Sequence, residues 1–335
     1  MAFCPPAVCP GPIDPLELLD KTMADNPTQT PPAGPDEHLS GLLARARALP
    51  PATTAVAWPL SADALAGPVD AAAQGLIEPW LVGREHDIRA LAEREALDLR
   101  GCRLIDAPDP VQAAMHCARL ARDGEVGAIM KGSLHTDELM AAVVARESGL
   151  RTARRISHAF VMGVPGHPRM FIITDAAVNI APDLEAKRDI VQNAIDLARS
   201  LGVEVPKVAL LAAVETVSPK MQATLDAAAL CKMADRGQIS GGLLDGPLAF
   251  DNALSAESAR IKGIDSPVAG RPDILLAPDI EAGNMLYKQL VFFTGAFAAG
   301  LVLGARIPVI LTSRADGRSS RLASCAVARL AASAT

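Results

Sequence analysis

Residues 126–147 read VGAIMKGSLHTDELMAAVVARE. A short aliphatic run, Val126 to Met130, passes through Lys131, Gly132 and Ser133 into an amphipathic stretch from Thr136 to Glu147. The run has the length of a buried strand, and the stretch after it is long enough for a crossover helix between parallel strands.

The same unit recurs on both sides. Upstream, Thr54 to Trp58, Ile77 to Val82 and Arg103 to Ile105 are strand-like, with helices expected at Glu85 to Leu97 and Pro110 to Arg122. Downstream come Ala159 to Met162, Phe171 to Thr174, Val208 to Val214, Ile239 to Phe250 and Asp273 to Leu276. The best marked helix runs from about Asp183 to Ser200, with Leu184, Ile190, Val191, Ile195 and Ala198 on one face and Gly202 as its stop. A last strand, Ile307 to Leu311, and a helix from Ser319 to Ala332 are too small to stand alone and are expected to complete the first lobe. The reading is an α/β protein of two lobes, 38–150 plus 298–335 and 151–297, with a cleft between them as a natural place for a ligand. Residues 1–37 carry Pro5, Pro6, Pro10, Pro12, Pro15, Pro27, Pro31, Pro32 and Pro35 and read as a Pro-rich tail, disordered rather than packed.

Bulk properties agree with an enzyme-sized globule of 335 residues, half of them hydrophobic and only 3% aromatic, so the core is expected to be aliphatic. A net charge of −6 argues against a nucleic-acid surface, though it leaves room for a local basic pocket. The six cysteines, at positions 4, 9, 102, 117, 231 and 325, show no CxxC pair and no metal-ligand spacing, which fits reduced thiols in the cytoplasm and no metal site. The opening MAFCPPAVCPGP is not a secretory signal. The longest apolar stretch, Leu290 to Leu303, is interrupted by Thr294, Gly295 and Gly300, and is expected to be a buried helix rather than a membrane span.

Three polar blocks follow strands, where backbone N–H groups commonly meet anions. In DILLAPDIEAGNMLYKQ, from Asp273 to Gln289, Asp279 is either a helix cap or a ligand, and Gly283 and Asn284 are poor helix formers placed inside a helix. Glu281, Asn284 and Lys288 join Asp279 as candidate substrate contacts. In LTSRADGRSSR, from Leu311 to Arg321, a solvated turn competes with a site. There Ser313 would donate to an oxyanion, Arg314 would hold a phosphate and Asp316 would orient or deprotonate a thiol. In MKGSLHTDEL, Lys131 and the N–H groups of Gly132 and Ser133 are candidate phosphate contacts, with His135 and Thr136 either helix-capping or substrate-binding; this is not a Walker A spacing. The basic run at Arg151, Arg154 and Arg155 is either a hinge surface or a partner for nucleotide-like phosphates, and Asp245 reads as a turn former in its D-G context.

Taken together, KGSLHTDEL, RRISHAFVM, ITDAAVNIAPDLEAKRDI, DGPLAFDNALS, APDIEAGNMLYKQL and LTSRAD resemble the phosphate acetyl/butyryltransferase family over about residues 40 to 330. The last three blocks resemble the short butyryltransferase branch and the transferase half of hydratase/transferase fusions. The resemblance implies a two-lobed fold related to isocitrate and isopropylmalate dehydrogenases. It also implies the reaction of acyl-CoA with phosphate to give acyl phosphate and CoA, in which CoA thiolate attacks the acyl phosphate directly. Coenzyme A is then a substrate, with no bound cofactor, and the chain a homo-oligomer, a dimer first. Ser313 and Arg314 match the family's Ser-Arg pair. The catalytic aspartate of well-known acetyltransferases lies seven residues after that serine, where this chain has Ser320, so Asp316, the nearest carboxylate, is the candidate base, with another group or water as the alternative activator of the thiol. A butyryl or branched-acyl transferase, a metal-dependent decarboxylating dehydrogenase and a non-catalytic CoA or acyl-phosphate sensor are the competing readings.

Overall fold

The computed structural model describes residues 35–312 and 317–333. The strands are β1 (Ala52–Ala57), β2 (Ile77–Gly83), β3 (Arg103–Asp106), β4 (Ala128–Lys131), β5 (Ser157–Gly163), β6 (Phe171–Thr174), β7 (Lys207–Leu211), β8 (Leu243–Leu248), β9 (Ile274–Leu276), β10 (Phe297–Leu303) and β11 (Val309–Ile310). The helices are α1 (Pro35–Arg47), α2 (Ala62–Ala73), α3 (Glu85–Arg94), α4 (Pro110–Arg122), α5 (Thr136–Val144), α6 (Leu184–Ser200), α7 (Gln222–Asp235), α8 (Phe250–Leu254), α9 (Ala256–Ile261), α10 (Ile280–Thr294) and α11 (Arg318–Ala332).

All described strands join one sheet in the order β3-β2-β1-β4-β11-β10-β5-β6-β9-β7-β8. It is mixed. A parallel block, β3 to β11, and a second parallel block, β6 to β8, are joined through β10 and β5, which pair antiparallel with each other along Phe297 to Leu303. Helices cover both faces. Leu42, Leu65, Ile190, Leu230 and Val327 pack on one, while Ala114, Leu139 and, further along, Ala253 and Ala259 pack on the other. Alternation along β5 follows the pleat, with Ala159 and Val161 facing the first layer and Phe160 and Met162 the second. Each such fully buried aliphatic side chain contributes about 1.5–3 kcal/mol of transfer free energy.

Carboxylates set the helix starts. Asp109, Asp183 and Asp279 accept from the N–H groups of Gln112, Ala186 and Ala282 at 2.8, 2.8 and 2.9 Å, each satisfying one of the unpaired donors of a first turn.

Several expectations are corrected. The segment Leu290 to Leu303 is not one buried helix. α10 stops at Thr294, Gly295 takes the left-handed conformation at φ 71°, and Phe297–Leu303 is a strand buried on both faces. A strand with no solvent face loses the alternation that distinguishes it from a helix. Thr136 to Glu147 is a shorter helix followed by a 3-10 turn at Arg146–Ser148. Asp245 sits within β8 opposite Ala209, not in a turn, because the irregularity at Gly246 and Pro247 is absorbed inside the strand. Of the stretch read as tail, residues 1–34 lie outside the described residues; α1 begins at Pro35, and beyond the stretch it places Leu42, Leu43 and Ala46 in the core.

Candidate functional site

β4 and β11 lie side by side and parallel, with Ile129 opposite Val309 and Met130 opposite Ile310. Their C-terminal ends therefore open at the same edge of the sheet. There Met130, Lys131, Gly132 and Ser133 from one strand and Thr312 from the other line a cavity of about 310 Å3, closed by Ser61, Asp63 and Ala64 of the α2 start and by Arg321 of α11. Crevices beyond the carboxyl ends of parallel strands are where α/β proteins hold ligands.

The turn that builds this wall requires glycine. A Cβ on Gly132 would stand 2.3 Å from the Ala57 carbonyl oxygen and 2.6 Å from that of Trp58. The N–H groups of Gly132 and Ser133 donate to those carbonyls at 2.9 Å each, which corrects the expectation that they hold a phosphate. The Ser133 hydroxyl donates to the Trp58 carbonyl at 2.7 Å and accepts from the Leu60 N–H at 3.2 Å. The main chain thus fixes the turn, leaving ligand contact to side chains.

Two cations are buried at the cavity. Lys131 is 8% exposed, with its Nζ 3.2 Å from the Gly132 carbonyl, and Arg321 is 9% exposed, with Nη1 3.2 Å from Asp63 Oδ1. Arg321 was legible only as one of three arginines in its block. Arg318, the second, pairs with Asp70 at 2.6 Å. Ser61, Asp63 and Thr312 carried no signal of their own. The detectable clue was Gly67-Pro68 inside α2, since Gly costs about 1 and Pro about 3 kcal/mol in a helix interior. A Cβ on Gly67 would meet the Arg321 Cδ at 3.2 Å, so the glycine makes the notch through which the arginine stem passes.

Other expected residues lie elsewhere. His135 is the N-cap of α5, its N–H donating to Glu138 Oε2 at 2.8 Å, and both it and Thr136 are exposed. Arg154 pairs with Asp196 and lines a separate cavity of about 770 Å3 with Arg199 and Arg306, at the opposite end of β11. Arg155 donates from Nε to Asn179 Oδ1 at 2.9 Å. β6 and β9 run opposite to β4 and β11, so the Asp279 turn leaves the other edge of the sheet. Asn284 donates to the Ala176 carbonyl at 3.0 Å, and a Cβ on Gly283 would stand 2.5 Å from the Asp175 carbonyl oxygen. Close helix packing therefore accounts for both poor helix formers. Glu281 and Lys288 are exposed on α10.

Ser313, Arg314 and Asp316 lie outside the described residues, between Thr312 at the cavity wall and Gly317, the N-cap of α11. Ser320 is turned inward, its Oγ accepting from the Ala298 N–H at 3.2 Å. Among the described residues no group of three His, Cys, Asp or Glu side chains is placed to hold a metal, and no helix is long and apolar enough to cross a membrane. Burial pushes the Cys102 and Cys231 thiols up to about 11 and that of Cys325 up to about 12, and protonated thiols are poor nucleophiles.

The chain is 59% identical over 299 residues to a phosphate acetyltransferase of Rhizobium meliloti, covering 89% of this chain and 94% of the relative. It is 40% identical over 296 residues to a phosphate butyryltransferase of Clostridium beijerinckii, covering 88% and 98%. The fold superposes on a branched-chain phosphotransacylase from Enterococcus faecalis V583 with a TM-score of 0.74 at 28% identity, over 84% of this chain and 99% of that one. The phosphate acetyl/butaryl transferase family model matches residues 109–328, which include the Lys131 turn, the end of β11 and Arg321, and the chain belongs to that family.

Proposed function

We propose that this protein transfers a short acyl group, acetyl first, between coenzyme A and inorganic phosphate. The observation that carries this reading is the cavity at the paired ends of β4 and β11, where two buried cations, Lys131 and Arg321, line the wall with Asp63 among the described residues, in a chain of net charge −6. A small anion is what such a cavity suits. The 59% identity to a phosphate acetyltransferase, against 40% to a butyryltransferase, favours acetyl over butyryl.

In the acyl-phosphate to acyl-CoA direction, the CoA sulfur as thiolate adds to the carbonyl carbon of the acyl phosphate, and the carbon–oxygen bond to phosphate then breaks. The thiol proton leaves through a base, and phosphate departs with the bonding pair. By the resemblance, Ser313 donates to the oxyanion, Arg314 holds the phosphate and Asp316 accepts or directs the proton. A thiol of pKa about 8.5 is partly ionised near neutrality, so positioning and oxyanion stabilisation carry more of the rate than the base. Thr312, which precedes Ser313 in the sequence, lines the cavity. We further read the sheet as two lobes divided near β5 and β10, with acyl-CoA reaching the cavity through the cleft, in a cytoplasmic homodimer.

The likeness to a branched-chain phosphotransacylase favours a second reading, in which the acyl pocket admits longer or branched chains. Measuring kcat/KM with phosphate across an acyl-CoA series from acetyl to isobutyryl tests both. We expect the maximum at acetyl. A maximum at butyryl or isobutyryl selects the second reading, and no turnover with any member overturns both. Within the active series, Ser313→Ala should lower turnover by about 10²–10³-fold and Arg314→Ala should chiefly raise the phosphate KM. Asp316→Asn holding wild-type turnover from pH 6 to 9 removes that residue as the base.

A further inference from the structure

The Arg321 guanidinium is poorly provided for where it lies. Its side chain is 11% exposed, and its ion-pair partner among the described residues is one oxygen of Asp63, at 3.2 Å, on a side chain that is 73% exposed. A guanidinium presents five N–H donors in a planar fork, and Arg321 lines the cavity with one carboxylate oxygen as its charged partner. An ion pair whose carboxylate is this open to solvent contributes little to stability. The chain makes room for this cation by placing Gly67 within α2, where a Cβ would stand 3.2 Å from the Arg321 Cδ.

The arrangement is that of a cation kept in position for a ligand and provisionally screened by a carboxylate. We propose that Arg321 is a phosphate-binding residue of the cavity and that Asp63 is its exchangeable partner, displaced when phosphate, or the phosphate end of an acyl phosphate, enters. Among the described residues, the ionisable side chains lining the cavity are Asp63, Lys131 and Arg321. With Asp63 turned to solvent, the fork of Arg321 takes two phosphate oxygens on the wall it shares with Lys131. Asp63 then competes with phosphate, so its removal strengthens binding. This assignment deepens the proposed reaction and rests on it for the identity of the anion, but not for the binding itself.

Two readouts separate the two claims. In steady state with acetyl-CoA, Arg321→Gln should raise the phosphate KM at least tenfold with the acetyl-CoA KM within about twofold. Arg321→Lys should recover part of the loss, and Asp63→Asn should lower the phosphate KM severalfold. Independently of turnover, inorganic phosphate should raise the unfolding temperature of the full chain. That rise should shrink in Arg321→Gln and grow in Asp63→Asn, whose exposed side chain makes it a safe substitution for folding. Equal phosphate response in wild type, Arg321→Gln and Asp63→Asn overturns the assignment, as does an equal rise of both KM values in Arg321→Gln. A chain that binds phosphate in this graded way but turns over no acyl-CoA keeps the site and sinks the reaction.

Discussion

Gly132 shows how a site residue is read at its own scale. The Lys-Gly-Ser turn was legible because strand, glycine and helix start stand in sequence, yet the reason for glycine is not the expected N–H donors but the 2.3 Å approach to the Ala57 carbonyl. We expect Gly132→Ala to cost more than about 2 kcal/mol in urea unfolding, because the new atom meets backbone that cannot yield, and to lower activity with it. Arg321 and Asp63 were not legible, since their partnership joins the first turns of α2 and α11 across the chain and no local pattern encodes it. His158 is a second residue with a measurable signature. Burial pushes its imidazole down to about 4, against the opposing pull of the Asp175 carboxylate. The unfolded chain binds that proton near pH 6.5 and the folded chain does not, so His158 costs no stability above pH 6.5 and removes it progressively as pH falls toward 4. Over that window the unfolding midpoint should drop more steeply in wild type than in His158→Leu. Parallel slopes in the two proteins would place the acid sensitivity elsewhere.

At the scale of elements, strands with turn signals and helices with a capping residue were readable. The starts of α4, α6 and α10 fall where Asp109, Asp183 and Asp279 accept the hydrogen bonds of the first turn. Asp279→Ala should cost about 1 kcal/mol and speed amide exchange in the first turn of α10, without altering the phosphate KM, because this cap leaves the sheet on the other edge from the cavity. A large rise in the phosphate KM would return Asp279 to the site. β10 was missed because FAAGLVL, buried on both faces, has neither strand alternation nor a helical stripe, and the decisive feature is the left-handed Gly295 before it. α10 ends with Phe292 76% and Phe293 87% exposed, about two turns beyond Met285 at 57%. Such a face is costly on a monomer. If the proposed dimer forms through it, the double variant Phe292→Ser, Phe293→Ser should sediment as a monomer at micromolar concentration. A monomeric wild type would contradict the dimer.

On the scale of the whole molecule, repeated strand and helix units announced an α/β protein, and one mixed sheet covered on both faces is what they build. Strand order was beyond reach of the sequence, because β11 joins β4 across more than half the chain and three successive antiparallel pairs, β11–β10, β10–β5 and β5–β6, leave β6 to β8 running opposite to β4 and β11. That reversal sends Asp279 and Lys131 to opposite edges, and it explains why candidate residues that looked equivalent in sequence are not equivalent in space. Release of free CoA thiol from acetyl-CoA by the full chain, with and without inorganic phosphate, measures most directly what the cavity does with an anion. We predict rapid release that saturates with phosphate, stops when phosphate is omitted and yields acetyl phosphate in equal amount. Thiol release that is absent, or that proceeds at the same rate without phosphate and yields acetate, would contradict the account.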